Sequence, residues 1–138
     1  MDPITAPLVE ALAPANPPSA EALADAMVSE KRLVDELIRI LRRQRHAVSA
    51  DDRDGIDDTL FATHRVLDTL GEARRRRHSL NRMLGERESL PIEALDDVLG
   101  ARMTDSLRSV RRSLQCSATA LSCAVTANRM LLRQKYSA

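Results

Sequence analysis

Aromatic residues are almost absent from this chain of 138 residues, which contains one phenylalanine, one tyrosine and no tryptophan. Any core must therefore be built from leucine, alanine, valine, isoleucine and methionine, and most of these residues favour helices. No segment carries the alternation of apolar and polar residues that is typical of a strand. The sequence accordingly predicts an all-helical protein.

An excess of charge of one sign is also absent, since 21 basic residues nearly balance 20 acidic ones and the formal net charge is +1. This balance argues against a general attraction to nucleic acid or to anionic lipid. No run approaches the roughly 20 apolar residues that cross a bilayer, and residues 1–18 lack the basic residues of a secretory signal. We expect a cytoplasmic protein without a membrane span, whose partners are recognised by shape and apolar contact.

Cysteine is scarce, and the two that are present, Cys116 and Cys123, lie two turns apart on one predicted helix. At a rise of about 1.5 Å per residue their Cα atoms are about 10 Å apart, which is too far for a disulfide bond. We therefore expect both thiols to be reduced.

The pattern divides the chain into a flexible Pro- and Ala-rich arm over residues 1–18 and a single helical bundle domain over residues 19–138. Ser19 offers an N-cap for a first helix that runs to about Ser49. The apolar residues from Leu33 to Leu41 cover about 160° of the helix circumference, which exceeds what one flat contact requires. This helix is predicted to contact more than one neighbour.

An acidic cluster around Gly55 predicts a helix break followed by a second helix, because negative charge is favourable at a helix N-terminus. This second helix is expected to run to about Leu84 and to stop at Gly85. Its expected core side consists of Ile56, Leu60, Val66 or Leu67, Leu70, Ala73, Leu80 and Met83 or Leu84. Pro91 favours one short helix before Gly100. The expected architecture is an elongated antiparallel bundle of three long helices plus one short connecting helix.

The last helix, capped by Thr104 or Asp105, has no charged residue from Leu114 to Asn128, although 30% of the chain is charged. On a helical wheel it is apolar on two opposite sides. The first side holds Leu107, Leu114, Ala118, Leu121, Val125 and Leu132, and the second holds Cys116, Ala120, Cys123, Ala127 and Met130. Either this helix is the central, fully surrounded helix of the bundle, or its second side receives another helix. Small residues there would allow close approach, and a methionine adapts to irregular shapes.

The acidic cluster does not have the ligand pattern of a calcium loop. With Gly55 in the sixth position of such a loop, Ala50 and Phe61 occupy the first and twelfth positions, where carboxylates are required. The three histidines are dispersed, without a second ligand at zinc spacing. We therefore expect neither a metal nor a cofactor.

Two further patterns bear on possible catalytic or phosphate chemistry. His64 invites comparison with the exposed histidine of phosphotransfer bundles, but Asp68 lies one turn later, where its charge would repel a phosphoryl group. The run Arg74–Arg77 fans around a helix and favours a solvated surface over a phosphate or nucleic-acid patch. No spacing pairs a nucleophile with a base, so we expect the protein not to be an enzyme.

The helix order and two stretches resemble the FlgN family of flagellar type III export chaperones over about residues 22–135. Residues 56–60 through Leu67, Leu70 and Arg77 to the closing Leu84-Gly85 are similar to the family's second helix. Residues 127–134, Ala-Asn-Arg-Met-Leu-Leu-Arg-Gln, resemble the family's Asn-x-x-Leu-Leu-x-Gln ending. This resemblance implies a cytoplasmic protein that uses its last helix to bind the C-terminal helical segments of the hook-filament junction proteins.

The second apolar side and the family-like ending together define the candidate partner-binding residues. They are Cys116, Ala120, Leu121, Cys123, Val125, Ala127, Asn128, Met130, Leu131 and Leu132. The main hypothesis is an export chaperone for the junction proteins. The alternative is a structural or adaptor protein that forms a homodimer through this helix, and a histidine phosphotransfer domain is a remote third.

Overall fold

The computed structural model describes residues 20–85 and 104–136 of the chain. These residues form three α-helices and no strand: α1 (Ala20–Ser49), α2 (Arg53–Gly85) and α3 (Asp105–Tyr136). The all-α prediction is therefore confirmed, as is the end of the first helix at Ser49. The arm at residues 1–18, the N-cap expected at Ser19 and the short connecting helix expected between residues 85 and 100 lie outside the described residues.

The centre of the described bundle is α1. It packs along both α2 and α3, whereas close backbone contacts between α2 and α3 are sparse or absent. A wide arc of α1 is buried, consisting of Leu23, Ala24, Ala26, Met27, Glu30, Val34, Leu37, Ile38, Ile40, Leu41, Gln44, Ala47 and Val48. The prediction that this helix has more than one neighbour is confirmed. The interpretation that placed the last helix at the centre is wrong for the described residues, because α1 takes that position.

The turn between α1 and α2 reverses the chain within three residues. Asp51 adopts a left-handed conformation with φ 53°, and the Asp52 amide donates to the Ala47 carbonyl oxygen at 2.9 Å, as in a Schellman C-cap. The Asp52 carboxylate then accepts a hydrogen bond from the Gly55 amide at 3.0 Å, which makes Asp52 the N-cap of α2. The helix break expected around Gly55 is therefore at residues 50–52, and Gly55 belongs to the first turn of α2.

The buried side of α2 agrees with the expected one only in part. Val66 and Leu70 are buried, as predicted, but Leu60 is 44% exposed and Thr59 lies in the core instead. Thr59 is tolerated there because its hydroxyl donates to the Ile56 carbonyl oxygen at 2.8 Å. Hydrophobic patterning ranks leucine above threonine, and it therefore assigned the core position to Leu60 instead of to Thr59.

One arginine of the Arg74–Arg77 run is part of the core. Arg77 is only 7% exposed, and its guanidinium binds both carboxylate oxygens of buried Glu30, at 2.5 and 3.3 Å. The prediction of a fully solvated run is therefore wrong at Arg77, whereas Arg74, Arg75 and Arg76 are exposed. A bidentate pair of this kind satisfies both charges without water.

Candidate protein-binding surface

The N-terminus of α3 is fixed by Thr104, whose hydroxyl accepts a hydrogen bond from the Leu107 amide at 3.1 Å. This geometry is that of an N-cap, and it selects Thr104 over Asp105. From this start α3 buries one seam against α1, made of Leu107, Val110, Leu114, Ser117, Ala124 and Asn128. Among the described residues, the rest of α3 is exposed or half-buried.

The outward side of α3 carries the second apolar side predicted from the sequence. Cys116, Ala120, Cys123 and Met130 are exposed, and Ala127 is half-buried. The methionine is 54% exposed. We call these five residues the outer stripe. The polarity of this side is lowered further by Thr119, whose hydroxyl donates to the Gln115 carbonyl oxygen at 3.1 Å. The threonine methyl group is therefore left on the surface.

The first apolar side of α3 is only partly enclosed. Leu121 packs against the core cluster, and Leu121, Val125, Leu131 and Leu132 are all half-buried. Ala118, which was expected in the core, is exposed, because Ser117 takes the seam position beside it. These larger aliphatic residues border the α1–α3 seam. The outer stripe lies further around α3 and approaches α1 only where Cys116 and Ala120 line a groove.

Asn128 lies in the interface with α1. Its amide nitrogen donates to the Leu41 carbonyl oxygen at 2.8 Å and to Gln44 Oε1 at 3.0 Å, and its Oδ1 accepts from Arg45 Nε at 3.1 Å. The side chain is 4% exposed. The structure thus places this candidate partner-binding residue against α1, where it fixes the register of the two helices, and apart from the outer stripe.

A groove between α1 and α3 runs beside the outer stripe. Cys116 and Ala120 of α3 form one wall, and Arg39 and Arg42 of α1 form part of the other. Arg112 lines the adjoining apolar surface at its N-terminal end. Further along α3, Arg129 and Arg133 are also exposed. The outer stripe is therefore an uncharged surface with arginines at its edge.

Asp35 is the acidic residue that lines this groove. Its carboxylate accepts hydrogen bonds from Ser117 Oγ at 2.7 Å and from Lys31 Nζ at 2.6 Å. Partial burial raises the pKa of Asp35, but these two donors and the positive charges of Lys31 and Arg39 outweigh it, so the pKa lies below its ordinary value. Asp35 is thereby engaged in holding α1 and α3 together.

The sequence analysis missed a clamp at the far end of α3. Lys135 Nζ donates to the Val48 carbonyl oxygen at 2.6 Å, to the Ser49 carbonyl oxygen at 3.3 Å and to Asp51 Oδ1 at 2.7 Å. A cation is favourable at the C-terminus of a helix, where carbonyl groups lack partners. Neither helix carries a sequence signal for this contact, because the contact depends on how α1 and α3 are aligned.

The sequence predicts neither a metal site nor a membrane span within residues 20–85 and 104–136. No group of three or more histidine, cysteine or acidic residues there is arranged to hold a metal ion. His64 is exposed on α2. No described helix combines the length and the apolar character needed to cross a membrane.

Comparison with known proteins gives one result. A family model described as "FlgN protein" matches residues 19–138, which include all three helices and the turn between α1 and α2. No curated protein and no solved structure matches the chain.

Proposed function

The chain belongs to the FlgN family of flagellar export chaperones, as its resemblance predicted, and from this premise we propose that it holds the C-terminal helical segments of hook-filament junction proteins. The proposed binding site is the outer stripe of α3. The protein acts there by binding in the cytoplasm and not by turnover. An amphipathic client helix lies along α3, which shields the apolar side of the client from aggregation until export.

The exposure of the outer stripe supports this proposal most directly. A helix side that faces water normally carries charge, and nearly a third of this chain is charged. Cys116, Ala120 and Cys123 are nevertheless exposed on a side that has no charged residue from Leu114 to Asn128. Small side chains let a second helix approach the backbone closely, and Met130 at the end of the stripe adapts to the shape of its partner. Binding free energy would come mainly from apolar area buried there.

The half-buried aliphatic residues Leu121, Val125, Leu131 and Leu132 border the α1–α3 contact and form a second part of the proposed binding surface. Asn128 supports client binding indirectly. Its hydrogen bonds to α1 hold α3, the helix that carries the outer stripe, in position. We therefore separate two roles within the family-like ending: the exposed residues contact the client, and Asn128 positions them.

The arginines beside the stripe determine the kind of client helix that fits. Arg39 and Arg42 follow one edge, and Arg112 lies at one end. A client helix whose apolar side is flanked by aspartate or glutamate would pair with these side chains. Such rim pairs affect the association rate and its dependence on salt more than the final affinity.

Calorimetric titration with the C-terminal helical segment of a junction protein tests the proposal. Ala120→Arg puts a charge into the centre of the stripe and is expected to abolish measurable binding, since an arginine there must be desolvated without a partner. Ser29→Arg introduces the same side chain at an exposed position of α1 and should leave the affinity unchanged. Unchanged binding by both variants would contradict the proposed site.

Light scattering separates the client role from self-association through the same stripe. A chain that binds the client segment as a monomer agrees with the proposal. A stable dimer that disappears in Ala120→Arg, together with no binding of the client segment, would instead favour the adaptor role.

A further inference from the structure

A second surface of the molecule, on α2, combines exposed apolar side chains with opposite charges at its two ends. Phe61 is 67% exposed, and Leu60 and Leu67 are 44% exposed each. The first turns of α2 carry exposed acidic residues, including Asp57, and its later turns carry exposed arginines, including Arg75. This surface belongs to a different helix from the outer stripe, and the proposed chaperone role does not account for it.

Within residues 20–85 and 104–136, no contact explains why a glycine, Gly71, lies in the middle of α2. Glycine in a helix interior costs about 0.5–1 kcal/mol relative to alanine, so it is usually kept where something approaches closely. A Cβ atom at Gly71 would meet only the tip of the Arg75 side chain, at 3.5 Å. The fold of the described chain therefore does not require a missing side chain here, which points to a partner outside it.

Six residues share this side of α2 at alternating spacings of four and three. They are Asp57, Phe61, His64, Asp68, Gly71 and Arg75, and all are exposed except Gly71, which is half-buried. We call them the α2 seam. The spacing is that of the contact positions in a coiled coil, and the seam is symmetric about position 66, so that it can pair with itself in the antiparallel direction.

We propose that a second copy of this chain docks antiparallel on the α2 seam. Around the two-fold axis, each residue of the seam then faces a complementary one. Asp57 faces Arg75 of the second copy, Phe61 faces the bare backbone at Gly71, and the His64 imidazole faces the Asp68 carboxylate. Each of these pairs occurs twice, as in any isologous contact.

Charge complementarity selects a second copy as the occupant. A foreign helix would need its own acidic and basic ends in matching order, whereas the same chain supplies both halves of each pair in the correct register. The contact spans about five helical turns of one helix, which is small beside an obligate dimer interface. The dimer is therefore a weak one, and it leaves the outer stripe on α3 uncovered.

Charge reversal with sedimentation equilibrium, from micromolar to millimolar protein, tests the pairing. Arg75→Asp and Asp57→Arg each replace two salt bridges per dimer by like-charge contacts, so each should raise the dissociation constant at least about tenfold. The double variant Asp57→Arg with Arg75→Asp restores both pairs and should return within about threefold of the unchanged chain. An equimolar mixture of the two single variants should form a heterodimer.

The rescue has no explanation within one chain, because positions 57 and 75 are about 27 Å apart along the same helix at 1.5 Å per residue. Arg76→Asp, an exposed reversal one position off the seam, is the matched control and should leave the dissociation constant unchanged. Helical circular dichroism and the melting temperature verify that each variant is folded. A monomer throughout the concentration range, a dimer that is insensitive to Arg75→Asp, or a failure of the double variant to recover would each overturn the proposal. None of these outcomes depends on binding of a client.

Discussion

Asn128 of α3 donates a hydrogen bond to the Leu41 carbonyl oxygen, in the C-terminal half of α1. A helix carbonyl that already accepts its own helical bond thus receives a second donor from a neighbouring helix. The contact works only in one register, because the amide must lie level with Leu41 while its other atoms meet Gln44 and Arg45. A polar residue in an otherwise apolar helix contact commonly specifies alignment in this way.

Replacing Asn128 is therefore expected to affect stability first. Asn128→Ala leaves the buried Gln44 amide oxygen without this donor and should lower the free energy of unfolding by about 1–3 kcal/mol, as unsatisfied buried polar groups do. Urea denaturation measures the loss. Thr126→Ala, at an exposed position of the same helix, should change the free energy of unfolding by less than about 0.5 kcal/mol. Equal effects of the two substitutions would contradict the register role.

The buried pair of Glu30 and Arg77 leads to a second prediction. Glu30→Leu leaves the Arg77 guanidinium buried without its carboxylate and should cost about 3–5 kcal/mol. Adding Arg77→Leu to Glu30→Leu removes the stranded charge and should recover most of that loss. Chemical denaturation of the single and double variants gives the coupling, with Arg76→Leu as an exposed control in the same run. A double variant that is as unstable as Glu30→Leu would contradict this account.

The pH dependence of stability follows from Asp35. Its pKa is lower in the folded chain than its ordinary value of 3.8, the Lys31 and Ser117 hydrogen bonds outweighing burial. The ionised carboxylate therefore stabilises the fold above that ordinary value, and this contribution is lost as the pH falls through the folded-state pKa. In urea titrations from neutral pH to about pH 3, Asp35→Asn should be less stable at neutral pH and should lose less stability in acid. Ser117→Ala removes one donor and should give an intermediate slope.

Two glycines of α2 provide a matched pair of substitutions. A Cβ atom at Gly55 would lie 2.9 Å from Asp52 Cγ and 3.1 Å from Ala47 Cβ, so Gly55→Ala must displace the N-cap and should destabilise the chain by about 1 kcal/mol or more. Gly71→Ala meets no such obstacle and should stabilise the monomer by about 0.5–1 kcal/mol. Thermal melts at low protein concentration measure both effects. Stabilisation by Gly55→Ala would contradict the described geometry of the turn.

Much of this architecture could be predicted from the sequence because helical periodicity reports which residues avoid water. The bounds of α1 and the two apolar sides of α3 follow from that pattern. The pattern left open whether the second side is core or surface, and the structure exposes Cys116, Ala120 and Cys123 there. Patterning failed where polar residues are buried as pairs. Glu30 and Arg77 satisfy each other across two helices, and neither residue carries a sign of this in its own segment.

The same limit explains the wrong assignments at α2 and α3. Leu60 was placed in the core and Thr59 outside because hydropathy ranks the two residues by side-chain chemistry alone. The structure buries Thr59, whose hydroxyl is bonded within its own helix. At the α1–α3 contact, Ser117 took the place expected for Ala118 because Asp35 on α1 accepts its hydrogen bond. Such choices depend on the residue opposite, which a single helix does not show.

The two cysteines of the outer stripe allow its solvent exposure to be measured by thiol labelling. Cys116 and Cys123 are both exposed free thiols, and the chain contains no other cysteine. A maleimide, which reacts preferentially with thiols near neutral pH, therefore labels this side of α3. The labelling rate can be followed by mass spectrometry on the unmutated chain. A fast rate indicates that this side is exposed to water, and a slow rate indicates that a bound helix shields it.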